Sequence, residues 1–161
     1  MFINARMYTV IFTGVSVSAV QDLIAVVAAA GKNCYLCGLE LGQTGTADYG
    51  DAQEEGVGIR CRSGQTTVGS GGGAYTPVPI NVTDAAAGFT ARINDTTIAS
   101  AGTIVTHWTN SWNPRMPFIW EPPPHKWIPL TGGRRATFEI DAAPADALST
   151  MRATAWILEV G

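Results

Sequence analysis

Few residues in this chain have both the type and the spacing to do chemistry. Cys34 and Cys37 form a C-x-x-C, the spacing of a redox pair or of half a zinc site. Residues 33–39 read as extended, however, and a strand sends side chains three apart to opposite faces. Cys61 supplies no second C-x-x-C, and His107 and His125 are not at finger spacing. Three free, packed thiols and no metal are the expectation. Asp48, Asp51, Glu54 and Glu55 could hold calcium, but they lack the alternating ligand spacing of an EF-hand loop and read as a solvated loop. No serine lies in a G-x-S-x-G elbow for either histidine to serve, and no paired general acid and base stands out. The Gly-Ser-Gly-Gly-Gly run at 69–73 and the Gly31-Lys32 pair lack the rest of a P-loop and read as turns. The chain is expected to be no enzyme and to carry no cofactor.

One constellation stands above this background. Trp108, Trp112, Trp120 and Trp127, four of the five tryptophans, fall within twenty residues. Indole faces can fill a core, anchor a subunit interface or stack on sugar rings, and the sequence leaves these three readings open.

The elements that would position these residues are strands. Residues 7–17 are rich in β-branched and aromatic types, with Tyr8, Val10 and Phe12 on one face. Residues 21–30 are read as extended and, through the Gly31-Lys32-Asn33 turn, as a hairpin with residues 34–41. Further strands are expected at 57–62, 103–109, 116–120, 127–130, 136–140 and 151–160, the last with Ala153, Ala155 and Ile157 on one side. Residues 42–56 read as a polar loop. Residues 63–102, with their glycines and Pro77 and Pro79, show little periodicity and are read as an extended excursion that reaches neighbouring subunits. About eight short strands separated by Gly/Pro turns, without an amphipathic helix, predict an all-β chain: one β-sandwich domain over 1–161, with jelly-roll connections as the expected variant.

Composition bounds the partners. Charged residues make up 14% of the 161, against roughly 25% in a typical soluble domain, so part of the surface is expected to be covered by other chains. The net charge is -3 and the basic residues are scattered, which argues against nucleic-acid binding. Thr9, Thr13, Ser16, Ser18, Gln21 and Asp22 interrupt the apolar start, leaving no clean signal-peptide core, and the apolar block at 23–30 is well short of the ~20 residues a membrane span needs. A soluble chain made in the cytoplasm, with no membrane partner, is expected.

The stretch Thr76-Pro-Val-Pro-Ile-Asn-Val-Thr-Asp-Ala-Ala-Ala-Gly-Phe-Thr-Ala91 and the following Asn94-Asp-Thr-Thr-Ile-Ala-Ser-Ala-Gly-Thr103 resemble small β-rich virion structural proteins of tailed phages and prophages. The opening Ala5-Arg-Met-Tyr-Thr-Val10, the Gly38-Leu-Glu-Leu-Gly-Gln43 strand and the Ala143-Pro-Ala-Asp-Ala-Leu148 turn share the resemblance, which runs along nearly the whole chain. It implies a particle protein. The expected form is a capsid decoration (cement) protein, a homo-trimer bound to the major capsid protein on the outer capsid surface. Tyr75, Pro77, Pro79, Phe89, Trp108, Trp112, Trp120 and Trp127 are the expected partner contacts. The alternative is a tail or head-fibre domain that binds host surface glycans through the tryptophans. Neither the tryptophan-rich stretch nor the Cys34/Cys37 pair belongs to the pattern that carries the resemblance.

Overall fold

Alternation of apolar and polar residues, interrupted by glycine and proline, leaves this sequence one efficient way to bury its apolar side chains: strands packed face to face. The computed structural model describes residues 4–44 and 56–161. The acidic group at Asp48, Asp51, Glu54 and Glu55 therefore lies outside the described residues. Twelve strands are described: β1 (Ala5–Val17), β2 (Gln21–Val27), β3 (Asn33–Gln43), β4 (Val57–Thr67), β5 (Gly73–Tyr75), β6 (Val78–Pro79), β7 (Thr90–Asp95), β8 (Ser100–Trp112), β9 (Phe118–Trp120), β10 (Ile128–Thr131), β11 (Arg135–Ile140) and β12 (Leu148–Val160). The one helical piece among them is a 3-10 turn, Pro124–Lys126.

Two antiparallel sheets make a β-sandwich. The first runs β10-β3-β12-β1-β6, with β9 also paired to β3; the second runs β5-β7-β2-β11-β4-β8. Between them lies a core built from the inward face of each strand. Tyr8, Val10 and Phe12 of β1 are fully buried, and the small Ala155 and Ala153 of β12 stand opposite Val10 and Phe12, leaving room for the larger side chains. Leu36, Leu39 and Leu41 of β3 meet Ile59 and Cys61 of β4 and Phe138 and Ile140 of β11 in the same cluster.

The expected hairpin of β2 with β3 does not form. These strands lie in different sheets, so the chain crosses the sandwich at residues 28–32. The reason is visible in the turn: Ala28 N–H donates to Arg134 O at 3.0 Å, and Gly133 N–H donates to Ala28 O at 2.8 Å. The end of β2 is thus tied to the start of β11 and cannot fold back on β3.

Residues 63–102 also differ from the expected loop. Nearly half of this stretch is built into the sandwich as the end of β4, then β5, β6, β7 and the start of β8. Residues 76–89 close one open side, where Ile80 N–H donates to Met7 O, the Tyr8 hydroxyl donates to Ala85 O, and Phe89 packs edge-on against Tyr8 at 5.5 Å. β9, the 3-10 turn and β10 close the other side. Gly64 (φ +90) permits the bulged pairing of β4 with β8, since a Cβ there would meet the Thr103 carbonyl oxygen.

Phe138 is fully buried and packs against both Trp108 and Trp120. Phe138→Ala is expected to lower unfolding stability by about 3–5 kcal/mol, read as a lower urea midpoint at unchanged m-value. A loss under about 1 kcal/mol would mean that the two sheets do not meet through this ring.

Candidate functional site

Three regions of the sandwich carry polar or aromatic chemistry. The first is the outward face of the second sheet. On β11, Ala136, Phe138 and Ile140 point to the core, so Thr137 and Glu139 point away from it, yet Glu139 is only 1% exposed. Its carboxylate is held by Arg60 Nε at 2.6 Å and Arg62 Nη2 at 2.7 Å from β4. Beside it across the ladder stands Asp22 of β2. Asp22 Oδ2 accepts the Ala99 N–H at 2.7 Å, and Gln65 donates to the Thr137 hydroxyl at 2.9 Å.

A lid covers this layer. Ser70 and Thr97 exchange backbone hydrogen bonds at 3.0 and 2.9 Å, joining two loops over the sheet. Gly69 packs so closely on Asp95 and Asp22 that a Cβ would lie 2.9 and 3.0 Å from their side chains. Asp95 takes a two-pronged bond from Arg92 and a third from Gly72 N–H. The glycine run expected as a flexible turn is therefore the close-fitting part of a cover. Burial, reinforced by the negative charge of Glu139, pushes the Asp22 carboxyl up to about 7, although the Ala99 N–H and Arg62 favour its ionised form.

The second region is the tryptophan stretch, which the structure divides. Trp112 is 2% exposed and lies in the core, its N–H donating to Met116 O at 2.6 Å. Phe89 is equally buried. Neither has surface left for a partner, which corrects the expectation for both. Their places at the end of β8 and behind Tyr8 are the reason. Trp108, Trp120 and Trp127 instead come together around a groove of about 420 Å³ between β8 and the β9–β10 segment. Trp108 and Trp120 pack with ring centroids 5.2 Å apart and planes tilted by 38°, and Trp127 is fixed by its N–H to Pro122 O at 3.0 Å. His107 and His125 line the same groove. The His107 ring nitrogen lies 2.7 Å from the Ser63 hydroxyl, and burial lowers its pKa.

The third region is apolar surface. Tyr75, Pro77 and Pro79 are half-buried along residues 75–79, while Ile80 and Val82 of the following turn are exposed, Val82 at 87%. No clue in the sequence separates these two exposed residues from their half-buried neighbours.

The thiols take no part in any of the three regions as reactive groups. Cys34, Cys37 and Cys61 are free and buried. Cys34 belongs to the core, whereas Cys37 lines a groove outside it with Trp127 and Trp156, so the C-x-x-C is split between faces. Burial pushes Cys34 and Cys37 up to about 12 and raises Cys61 as well. Among the described residues no group of three His, Cys, Asp or Glu side chains is placed to hold a metal.

No known sequence family matches this chain, and no curated relative does. Among solved structures, VP17, a capsid protein of bacteriophage P23-77, shares 10% identity over 99% of this chain and 97% of its own length, with a TM-score of 0.27. Two infectious bursal disease virus structures, one of the Gx strain and one of T=1 particles, share 10% and 11% identity at TM-scores of 0.24 and 0.19, and the chain spans about 42% and 41% of their lengths. TM-scores this low carry no argument about fold or function.

Two outcomes test the site. Between pH 4 and 7 the folded chain keeps a proton on Asp22 that the unfolded chain has released. This group therefore makes stability fall as pH rises through that window, by up to about 1.4 kcal/mol per pH unit, and level off above it. Asp22→Asn removes the titration, so urea unfolding should show the variant gaining on the wild type from pH 4 to 7; parallel curves would contradict the assignment. An aromatic disulfide reagent should find no fast-reacting thiol in the native protein at pH 8, and three after unfolding in denaturant. A rapid native reaction would contradict the burial of all three.

Proposed function

We propose that this chain is a non-enzymatic virion structural protein: a capsid decoration (cement) protein that binds the outer face of a tailed phage's major capsid lattice as a trimer and stabilises it. It is made in the host cytoplasm and acts in the virion, without direct contact to nucleic acid or membrane. The resemblance along residues 76–103 supports a particle protein. So does the connectivity. Taking β1, β2, β3, β4, β8, β10, β11 and β12 in chain order, one sheet holds the first, eighth, third and sixth strands, and the other the second, seventh, fourth and fifth. We read this as a jelly roll with residues 68–99 inserted between its fourth and fifth strands, an architecture that viral capsid proteins share with lectins and cupins. Fold alone does not give function.

The observation that carries the reading is the edge of the second sheet. The other sheet edges are short and marked by proline: Pro79 in β6, Pro129 in β10, Pro77 after β5 and Pro117 before β9. β8 is 13 residues long, holds no Asp, Glu, Lys, Arg or Pro, and is exposed along most of its length. Two bulges interrupt its pairing with β4, and among the described residues no strand pairs with its outer edge. Such an edge suits a strand added by a neighbouring subunit. Exposed Ile80 and Val82 give a second contact, on the opposite side of the sandwich.

Cryo-electron microscopy of particles containing the protein tests this reading. Density on the outer capsid lattice at threefold positions is expected, with occupancy reduced at least about tenfold by Val105→Lys on the β8 edge. Density confined to the tail would overturn the decoration reading.

A further inference from the structure

The tryptophan groove has a polar character that assembly on a capsid does not use. Three indoles form its walls, and His107, His125 and Lys126 supply its polar side chains; among the described residues no carboxylate lines it. The nearby Glu121 lines a separate groove of about 260 Å³, beyond the partition made by Pro122 and Trp127. The volume of about 420 Å³ lies within the range of ligand pockets.

The walls are rigid. Trp108 is packed against Trp120, Phe118 and Phe138 at 5.2 to 6.2 Å. His125 and Lys126 are exposed on the 3-10 turn that follows Pro122 and Pro123, where the fixed proline backbone limits movement. A ligand thus meets a preformed site.

Donor and acceptor types narrow its chemistry. The Lys126 ammonium only donates, and the exposed His125 ring offers an N–H, whereas the Trp127 N–H is already given to Pro122 O and the His107 ring nitrogen to the Ser63 hydroxyl. Neutral sugars present hydroxyls that are commonly met by carboxylate or amide side chains, and the described residues of the groove lining include neither. The ligand must bring the acceptors and a flat apolar face. Nucleic acid would bring both, but it needs a track of cations along its backbone, and a groove with one lysine in a chain of net charge -3 provides none.

We propose that this groove binds an acidic saccharide, with a pyranose ring stacked on the Trp127 and Trp120 indoles and its carboxylate received by Lys126 and His125. This activity stands whether or not the chain decorates a capsid. It narrows the expected glycan contact from the tryptophans as a group to Trp127 and Trp120, leaving out the buried Trp112.

The test is titration of hexagalacturonate into the full chain, read by tryptophan fluorescence and calorimetry. Saturable binding that weakens with added salt is expected, with no binding of the neutral cellohexaose. Lys126→Glu should weaken it at least about tenfold, the loss of one charge-assisted contact. Trp127→Ala should abolish it. Lys126 is exposed, so its variant keeps the fold even if Trp127→Ala does not. No saturable response to hexagalacturonate, unchanged binding by Lys126→Glu, or equal binding of a single-stranded oligothymidylate of the same charge would each overturn the proposal.

Discussion

The structure depends on burying β11 on both of its faces. Phe138 fills the core, and one residue along, Glu139 faces outward into a space that is closed to water. A carboxylate taken out of water must be paired, because its desolvation otherwise outweighs what folding gains. Arg60 and Arg62, two residues apart on β4, place both guanidinium groups on that carboxylate. The lid over 69–72 and 96–99 then completes the layer through Asp22 and Asp95. Such a layer adds little net stability compared with apolar packing, but it penalises any arrangement that leaves one partner alone. It thereby fixes the path of residues 68–99, which composition alone would leave free.

That path changes how the chain can meet other chains. A long glycine-rich excursion invites the picture of an arm reaching outward. Instead its two ends are spent on the protein's own second sheet, and its middle, near Ile80 and Val82, turns along β1 and closes the sandwich. What the excursion leaves exposed as large apolar surface among its described residues is narrower, with Ile80 and Val82 of its middle the most exposed. On the second sheet Arg60 and Arg62 pair with Glu139, and Arg92 with Asp95, so these charged groups serve one another.

Much of the fold was legible in the sequence because period-two alternation reports directly on which face is buried. Tyr8, Val10 and Phe12, and Ala153, Ala155 and Ile157, lie where alternation puts them. Alternation is silent about what covers the other face, so Thr137 and Glu139 read as solvent-facing; their cover comes from residues some forty to seventy positions earlier. Gly69 and Gly72 read as flexible for the same reason that they fit the lid, the lack of a side chain. Proximity in sequence joined Trp112 to the other tryptophans, but a strand of 13 residues carries its ends far apart, and Trp112 finishes in the core opposite Val57. The β2–β3 turn looked local, and its hydrogen bonds go instead to residues 133–134, a hundred positions away.

The central claim is that residues 68–99 are a cover on the second sheet and that only their middle is offered to partners. Amide hydrogen exchange on the free protein tests it most directly. The account predicts that Thr97, Ala99 and the amides of β7 exchange as slowly as those of β11, opening only with global unfolding, while residues 81–83 exchange within seconds. Fast exchange at Ala99 and along β7, with β11 still protected, would show that the excursion is a free arm and contradict the account.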